Sequence, residues 1–383
     1  MEPLIAEPAE LTNEEIRRYS RHLIMPDIGM DGQGRLKAAK VLVVGTGGLG
    51  SPVAMYLAAA GVGEIGLVDY DVVDESNLHR QVIHGTSDVG KRKTESAKET
   101  ILDINPGVTV TIHETLLRSD NALEIIRPYD LVIDGTDNFP TRYLVNDACA
   151  ILGKPNVYGS IFRFEGQLSV FWDAKGPNYR DLFPEPPPPG MVPSCAEGGV
   201  FGVICGTIGA GQVTEAIKLI TGIGTPLIGT MKLYDAMDNE WRSITVRKDP
   251  NGQPITTLID YEAFCGVPAN DHATEQASQD FDVQMTPEDF EKIRDQVTLI
   301  DVREPHEYEI SRIEGSTLIP LGDLPSRMNE LDSADEIVLQ CKSGARSMEA
   351  LELLRSAGFT KLSNLQGGIN GYARQVDPSI PTY

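Results

Sequence analysis

Gly45-Thr46-Gly47-Gly48-Leu49-Gly50 spells G-x-G-x-x-G between a β-branched run, Val41-Leu42-Val43-Val44, and an Ala-rich helix-forming run from Ser51 to Ala60. The backbone amides of such a turn, with the helix N-terminus behind it, can meet a phosphate group. Asp69 follows at the end of the next strand-like run, Ile65 to Val68, where a carboxylate can accept both hydroxyls of a ribose. This pair alone leaves NAD and other nucleotides open. The residues that follow separate them. Ser76-Asn77-Leu78-His79-Arg80-Gln81 and Lys93 set a guanidinium, an ammonium and amides just after that carboxylate, which is excessive for a diphosphate and suited to a triphosphate. Asp134-Gly135-Thr136-Asp137-Asn138 closes a later apolar run, placing the Asp137 carboxylate in the crevice where Mg2+ would bridge phosphates. ATP with Mg2+ fits better than NAD. The bland alternative makes Arg80 and Lys93 surface ion pairs and Asp137 a helix cap.

Two of the five cysteines sit where a thiol can react. Cys341, in Gln340-Cys341-Lys342-Ser343-Gly344-Ala345-Arg346-Ser347, follows an apolar strand and opens a helix. The loop amides converge on its sulfur and favour the thiolate. Cys195, in Val192-Pro193-Ser194-Cys195-Ala196-Glu197-Gly198-Gly199, precedes a Gly-rich helix whose dipole would do the same. Cys149 and Cys205 fall in helical runs and read as core. The odd count, without a C-x-x-C pair, disfavours a disulfide framework.

These residues need elements to hold them. Lys40 to Tyr70 reads strand, turn, helix, strand, and the rhythm recurs with a strand at Val108 to His113, a helix at Ala122 to Arg127, a strand at Leu131 to Asp134 and a helix at Tyr143 to Leu152. Alternation of this kind predicts a mainly parallel sheet. Gln167 to Trp172 and Met231 to Val246 carry strands without helices between them, which predicts an antiparallel extension. The Pro184 to Gly190 segment must cross in extended form, and Gly198 to Ile220 reads as a helix. Asn270 to Asp280 is polar and reads as a linker. Beyond it, strands at Thr298 to Asp301, Ile337 to Gln340 and Leu362 to Leu365 alternate with helices at Ser347 to Ala357 and from Gly368. The predicted fold class is α/β: a Rossmann-like mixed sheet (1–268), a polar linker (269–282) and a small second α/β domain (283–383).

Composition removes whole classes of function. The 383 residues are 41% hydrophobic, enough for two cores, and carry 33 Lys plus Arg against 56 Asp plus Glu. A net charge of -23 argues against nucleic acid as a partner. Met1 to Glu10 lacks the basic and apolar regions of a signal peptide. The apolar stretches Val41 to Val44 and Val200 to Ile208 are too short or too Gly-interrupted to span a bilayer. A cytoplasmic protein with no membrane partner is expected.

Across Leu11 to Val267 the motifs resemble the MoeB/ThiF family, bacterial relatives of ubiquitin-activating E1 enzymes. The resemblance is carried by Arg18-Tyr-Ser-Arg-His22, the Gly-rich turn, Ser76 to Gln81, Gly-x-x-Lys at Gly90 to Lys93, Thr136-Asp137-Asn138 and Arg163-Phe-Glu-Gly-Gln167. It implies a homodimer in which Arg21 reaches the other subunit's ATP, with Asn77, Arg80 and Lys93 on phosphates, Asp69 on ribose and Asp137 organising Mg2+. It also implies adenylylation of the C-terminal glycine of a small ubiquitin-like sulfur-carrier protein ending in Gly-Gly, and makes Cys195 the match to a loop cysteine that can link covalently to the carrier. The Cys341 loop resembles the rhodanese pattern Cys-x-x-Gly-x-Arg, supported by Leu299 to Arg303, Glu307-Tyr308, Ile313 to Ser316, Ile319-Pro320 and Gln366 to Gly368. A rhodanese-like domain implies a persulfide on Cys341, loaded from thiosulfate or a donor protein. The four residues between Cys341 and Arg346 make a tighter loop than a phosphatase would need. Many relatives hold a structural zinc on two C-x-x-C pairs; the matching positions here are Asn178, Asp181, Glu262 and Cys265, so no such zinc site is expected.

The expected function is ATP-dependent activation of the carrier followed by sulfur transfer from Cys341 to give its thiocarboxylate. The competing classes are a NAD(P)-dependent oxidoreductase with a rhodanese appendage and a non-enzymatic binder of ubiquitin-like proteins.

Overall fold

A computed structural model describes residues 1–188, 198–266 and 283–383. The chain divides into two compact units, Met1–Asn270 and Asp271–Tyr383. The polar run read as a linker lies outside the described residues.

The first unit is built on an eight-stranded sheet in the order β3-β2-β1-β4-β5-β6-β7-β8. Strands β1 (Lys40–Val44), β2 (Glu64–Val68), β3 (Thr109–His113), β4 (Leu131–Asp134) and β5 (Asn156–Phe162) run parallel. Val41 is paired with Ile65 on one side and Leu131 on the other. β1 is buried from Val41 to Val44 because helices cover both faces, which is why its sequence is continuously apolar rather than alternating. Strands β6 (Glu165–Phe171), β7 (Thr230–Asp235) and β8 (Glu240–Thr245) extend the sheet antiparallel, as the loss of alternating helices foretold. β5 carries no clear signal in the sequence, since Gly159 and Ser160 interrupt its apolar run, yet Asn156 to Ser160 are buried. The strand order reverses between β1 and β4, leaving a crevice beyond their C-terminal ends.

The Val203–Thr221 helix is nineteen residues and, by length and composition alone, apolar enough to cross a membrane. It packs against the Gly50–Ala60 helix and strands β5 and β6, burying Ile204, Ile208, Val213, Leu219 and Ile220. The sequence put its start at Gly198. It begins five residues later because Val200 bridges to Arg163 and the Phe201 N–H donates to the Arg163 carbonyl at 3.0 Å, holding that stretch as an extended edge.

At the positions where relatives hold zinc, the donor set does not fit a metal. Asn178 caps the Tyr179–Leu182 helix, and Asp181 accepts from the Asp249 N–H at 2.8 Å. Cys265 is buried among apolar side chains. The elements are tied instead through Arg180, whose guanidinium forks onto Asp147 at 2.8 and 2.7 Å and lies over the Tyr143 and Phe264 rings. The Tyr261 hydroxyl donates to the same carboxylate at 2.7 Å. Arg180→Ala strands a buried carboxylate and is expected to cost about 3 kcal/mol of unfolding free energy, read by urea denaturation; a loss within about 0.5 kcal/mol would make this cluster incidental.

The second unit is a five-stranded parallel sheet in the order β11-β10-β12-β13-β9. Strands β10 (Thr298–Asp301), β12 (Ile337–Gln340) and β13 (Leu362–Leu365) match the sequence reading. The edge strands β9 (Gln284–Met285) and β11 (Thr317–Leu318) are two residues long, too short to announce themselves.

Candidate active site

The crevice of the first unit is a cleft of about 950 Å³, open mouth included, at the ends of β1, β2 and β4. Its floor is the Gly-rich turn. Gly50 can only be glycine, because a Cβ there would lie 1.9 Å from the Gly45 carbonyl oxygen. Among the residues singled out from sequence, Gly48, Asp69, Arg80, Lys93, Asp137 and Asn138 line the cleft. Asp69 Oδ2 accepts from the Thr46 N–H at 2.8 Å and the Thr46 hydroxyl at 2.9 Å, and Oδ1 accepts from the Asp71 N–H at 2.9 Å. These bonds fix the carboxylate beside the turn while leaving acceptor sites for further donors.

Lys93 opens the Lys93–Ile104 helix, and its ammonium pairs with Asp71 at 2.8 Å. Its side chain is only 8% exposed, so this is a held charge facing the cleft rather than a surface ion pair. Arg80 makes no ion pair among the described residues; it donates to the Ser76 carbonyl and contacts His79 Nε2, each at 2.9 Å. The cap of the Phe139–Leu152 helix is Asn138, which accepts from the Thr141 N–H at 3.0 Å. The Asp137 carboxylate therefore stays exposed, with no hydrogen bond or ion pair to a described residue. Of the bland alternatives, the ion pair is present for Lys93 and absent for Arg80 among the described residues, and the helix cap falls to Asn138 rather than Asp137.

Ser76, Asn77, Leu78 and His79 belong to the adjoining segment but do not line the cleft. Asp74 and Asn77 form a capping box there, with Asp74 accepting from the Ser76 N–H at 2.8 Å. Arg21 is exposed on the short Ser20–Leu23 helix and is also absent from the lining. Cys195 lies outside the described residues. The sequence reading passed over Tyr70, Asp71, Arg142 and the Thr115–Leu117 edge, all of which line the cleft. Asp71 was legible from its place two residues beyond Asp69; Arg142 was not, because a charged residue inside a helix reads as solvated.

In the second unit, the Gly344 N–H donates to Cys341 Sγ at 3.1 Å and the Ser347 hydroxyl does so at 3.4 Å. Gly344 stands at φ +105°, which lets the loop turn its amide toward the sulfur and start the Ala345–Ser356 helix. Arg346 forks onto Glu307 at 2.6 and 2.7 Å. The Tyr383 hydroxyl accepts from Arg303 at 2.5 Å and donates to Glu307 at 3.2 Å, while Lys342 lies over the Tyr383 ring. Burial pushes the Glu307 carboxyl up, but Arg346, the Glu304 amide and Tyr383 outweigh it and hold the group at about 2. A carboxyl depressed in the folded state stabilises above its unfolded value near 4.5, and that contribution fades as pH falls toward about 2. Acid unfolding of this unit is therefore expected to steepen across that window, and Glu307→Gln to flatten it; superimposable unfolding profiles for the two proteins would contradict the coupling.

A family is matched in each unit. A ThiF family model matches residues 19–255 and a rhodanese-like domain model matches residues 286–375. The chain is 54% identical over 390 residues to a probable adenylyltransferase/sulfurtransferase, MoeZ, of Mycobacterium tuberculosis, covering 100% of this chain and 98% of that protein. It is 44% identical over 391 residues to the adenylyltransferase and sulfurtransferase MOCS3 of Drosophila yakuba, covering 98% and 86%. Among solved structures, E. coli MccB with ATP shares the fold, with a TM-score of 0.55 and 24% identity over 62% of this chain and 74% of that one. Full-length likeness of this kind sets aside the oxidoreductase and non-enzymatic readings. The chain belongs to the ThiF family, carries a C-terminal rhodanese-like domain, and is an adenylyltransferase and sulfurtransferase.

Proposed function

We propose that the first unit binds ATP and adenylylates the C-terminal glycine of a small ubiquitin-like sulfur carrier, and that Cys341 supplies the sulfur that turns this acyl group into a thiocarboxylate. The observation that carries the reading is the cleft itself: a phosphate-ready turn, a ribose-ready carboxylate and two cations, Lys93 and Arg80, in one crevice. Asp137 has the free carboxylate that Mg2+ would need, since this ion takes one or two carboxylates and fills its shell with phosphate and water oxygens. When bound, Mg2+ would neutralise phosphate charge. Adenylylation needs no protein nucleophile: a carboxylate oxygen attacks the α-phosphorus, the bond to the bridging oxygen breaks, and pyrophosphate leaves with the electron pair. The task of the protein is positioning and charge.

At the second site a thiolate takes the outer sulfur of thiosulfate, releasing sulfite. Cys341 is 1% exposed, so the added outer sulfur of the persulfide is the atom presented to an acceptor. That sulfur attacks the acyl carbon and AMP leaves. A second thiol, for which Cys195 is the candidate on this chain, then attacks the Cys341 sulfur: the S–S bond to the acyl group breaks, the thiocarboxylate leaves with the electron pair, and the new disulfide to Cys341 is reduced by two equivalents of an external thiol. Exposed Ile24, Met25, Met30 and Tyr56 support a homodimer that brings Arg21 to a neighbouring subunit's cleft. Cys149, Cys265 and Cys341, none of them in a disulfide among the described residues, support a reducing compartment such as the cytoplasm. The test is ATP–pyrophosphate exchange with the purified chain: exchange that depends on a carrier ending in Gly-Gly supports the reading, and exchange without it, or none with it, defeats it.

A further inference from the structure

Arg142 lies in the first turn-and-a-half of the Phe139–Leu152 helix, lines the cleft, and is only 9% exposed. A buried guanidinium ordinarily satisfies its five donors with a carboxylate or several carbonyls. Here, among the described residues, it makes a single hydrogen bond, from Nη2 to the Thr136 carbonyl at 3.3 Å. Its Nε is enclosed with no hydrogen-bond partner among the described residues. No carboxylate lies within ion-pair distance among the described residues, and the group is held instead over the Phe139 and Tyr158 rings, 5.5 and 5.8 Å from their centroids. A buried acid that acts on it electrostatically is Asp134, whose Oδ1 is turned to the Thr136 N–H and hydroxyl at 2.9 and 2.6 Å. Burial raises the Asp134 carboxyl despite the opposing pull of Arg142, which weakens it as a counter-charge. The cleft therefore contains a cation fixed by aromatic packing and short of an anion.

Its place says which anion. Asp69, Tyr70, Asp71 and Lys93 gather at the β2 side of the cleft, where the ribose carboxylate and the held ammonium lie together. Arg142, on the helix after β4, and Ile161, on β5, form the opposite side. A nucleotide with its ribose on the β2 side and its phosphates reaching Asp137 beyond β4 leaves the wall formed by Arg142 and Ile161 for the second substrate. We infer that Arg142 is the anchor for the terminal carboxylate of the incoming acyl acceptor and determines its selection. The inference rests on the adenylylation reading and deepens it. The planar fork matches a carboxylate in two hydrogen bonds and would hold one oxygen while the other attacks the α-phosphorus; the α–β bridging P–O bond breaks, its electron pair leaves with pyrophosphate, and no proton is transferred.

The test uses the full chain saturated with α,β-methylene-ATP and two probes: a ubiquitin-like carrier ending in a Gly-Gly carboxylate, and the same carrier made as the C-terminal carboxamide. By fluorescence anisotropy, the unsubstituted chain is expected to bind the carboxylate form about 10-fold more tightly or better, and Arg142→Met to bring the two forms within about twofold without a comparable change in affinity for the ATP analogue. Arg142→Lys keeps the charge and much of the packing but loses the fork, so its preference is expected to fall by about threefold or more; it carries the comparison if the Met variant does not fold. An undiminished preference in either folded variant, equal binding of the two probes by the unsubstituted chain, or a parallel loss of nucleotide affinity would each overturn the inference. Carrier-dependent pyrophosphate exchange, measured alongside, separates this from failure of the adenylylation reading: exchange intact with no carboxylate preference sinks only the role of Arg142, whereas absent exchange sinks both.

Discussion

Lys93→Ala is expected to lower carrier-dependent ATP–pyrophosphate exchange by about 10²- to 10³-fold while leaving thiosulfate-dependent sulfur transfer at Cys341 unchanged. The size follows from where the ammonium sits. It is 8% exposed, begins a helix whose dipole adds to its positive field, and is aimed into the cleft by Asp71 at 2.8 Å. A cation already desolvated and oriented has little reorganisation left to do when phosphate charge shifts toward the leaving group. The substitution leaves the partner Asp71, half exposed, in water rather than stranded in the core, so the fold is expected to tolerate it. Retained exchange within about threefold, against the 10²-fold or larger loss that removal of such a donor brings, would show that the phosphates lie elsewhere.

Cys341→Ala is expected to do the reverse: sulfur transfer falls by about 10³-fold or more, and pyrophosphate exchange stays at the level of the unsubstituted chain. The sulfur is the only atom removed from a loop whose donors, the Gly344 N–H and the Ser347 hydroxyl, are arranged around it. Adenylylation involves no thiol. Loss of both activities in this one variant would contradict the division of labour between the units.

How much of this was legible in the sequence depends on what each residue does. The Gly-rich turn, Asp69, Lys93 and Asp137 announce themselves because phosphate and ribose demand particular backbone and charge at fixed offsets along a βαβ unit. β1 and β4 are legible because strands covered on both faces are unbroken apolar runs. β5 is not, since Gly159 and Ser160 are buried by their neighbours rather than by their own hydrophobicity. The start of the Val203–Thr221 helix was misjudged because the competing bridge at Arg163 comes from a residue 37 positions away from Val200, which no local pattern can contain. Arg142 and the Arg180–Asp147–Tyr261 cluster share that fate: a cation in a helix says nothing of the rings or carboxylate that tertiary packing brings to it. The missing zinc thiolates could be read directly, whereas what replaced them required the fold. Ser76 to His79 show the converse, a motif conspicuous in sequence whose side chains stand beside the cleft rather than in its lining.

The central claim is that one chain both activates a carrier and sulfurates it. Intact-protein mass spectrometry of a Gly-Gly-ending carrier, after incubation with the full chain, ATP, Mg2+, thiosulfate and a small-molecule thiol, tests it most directly. The account predicts a carrier in which one terminal oxygen is replaced by sulfur, formed only when ATP and thiosulfate are both present and lost with either Lys93→Ala or Cys341→Ala. A carrier mass unchanged under complete conditions, or one that shifts without ATP, would contradict it.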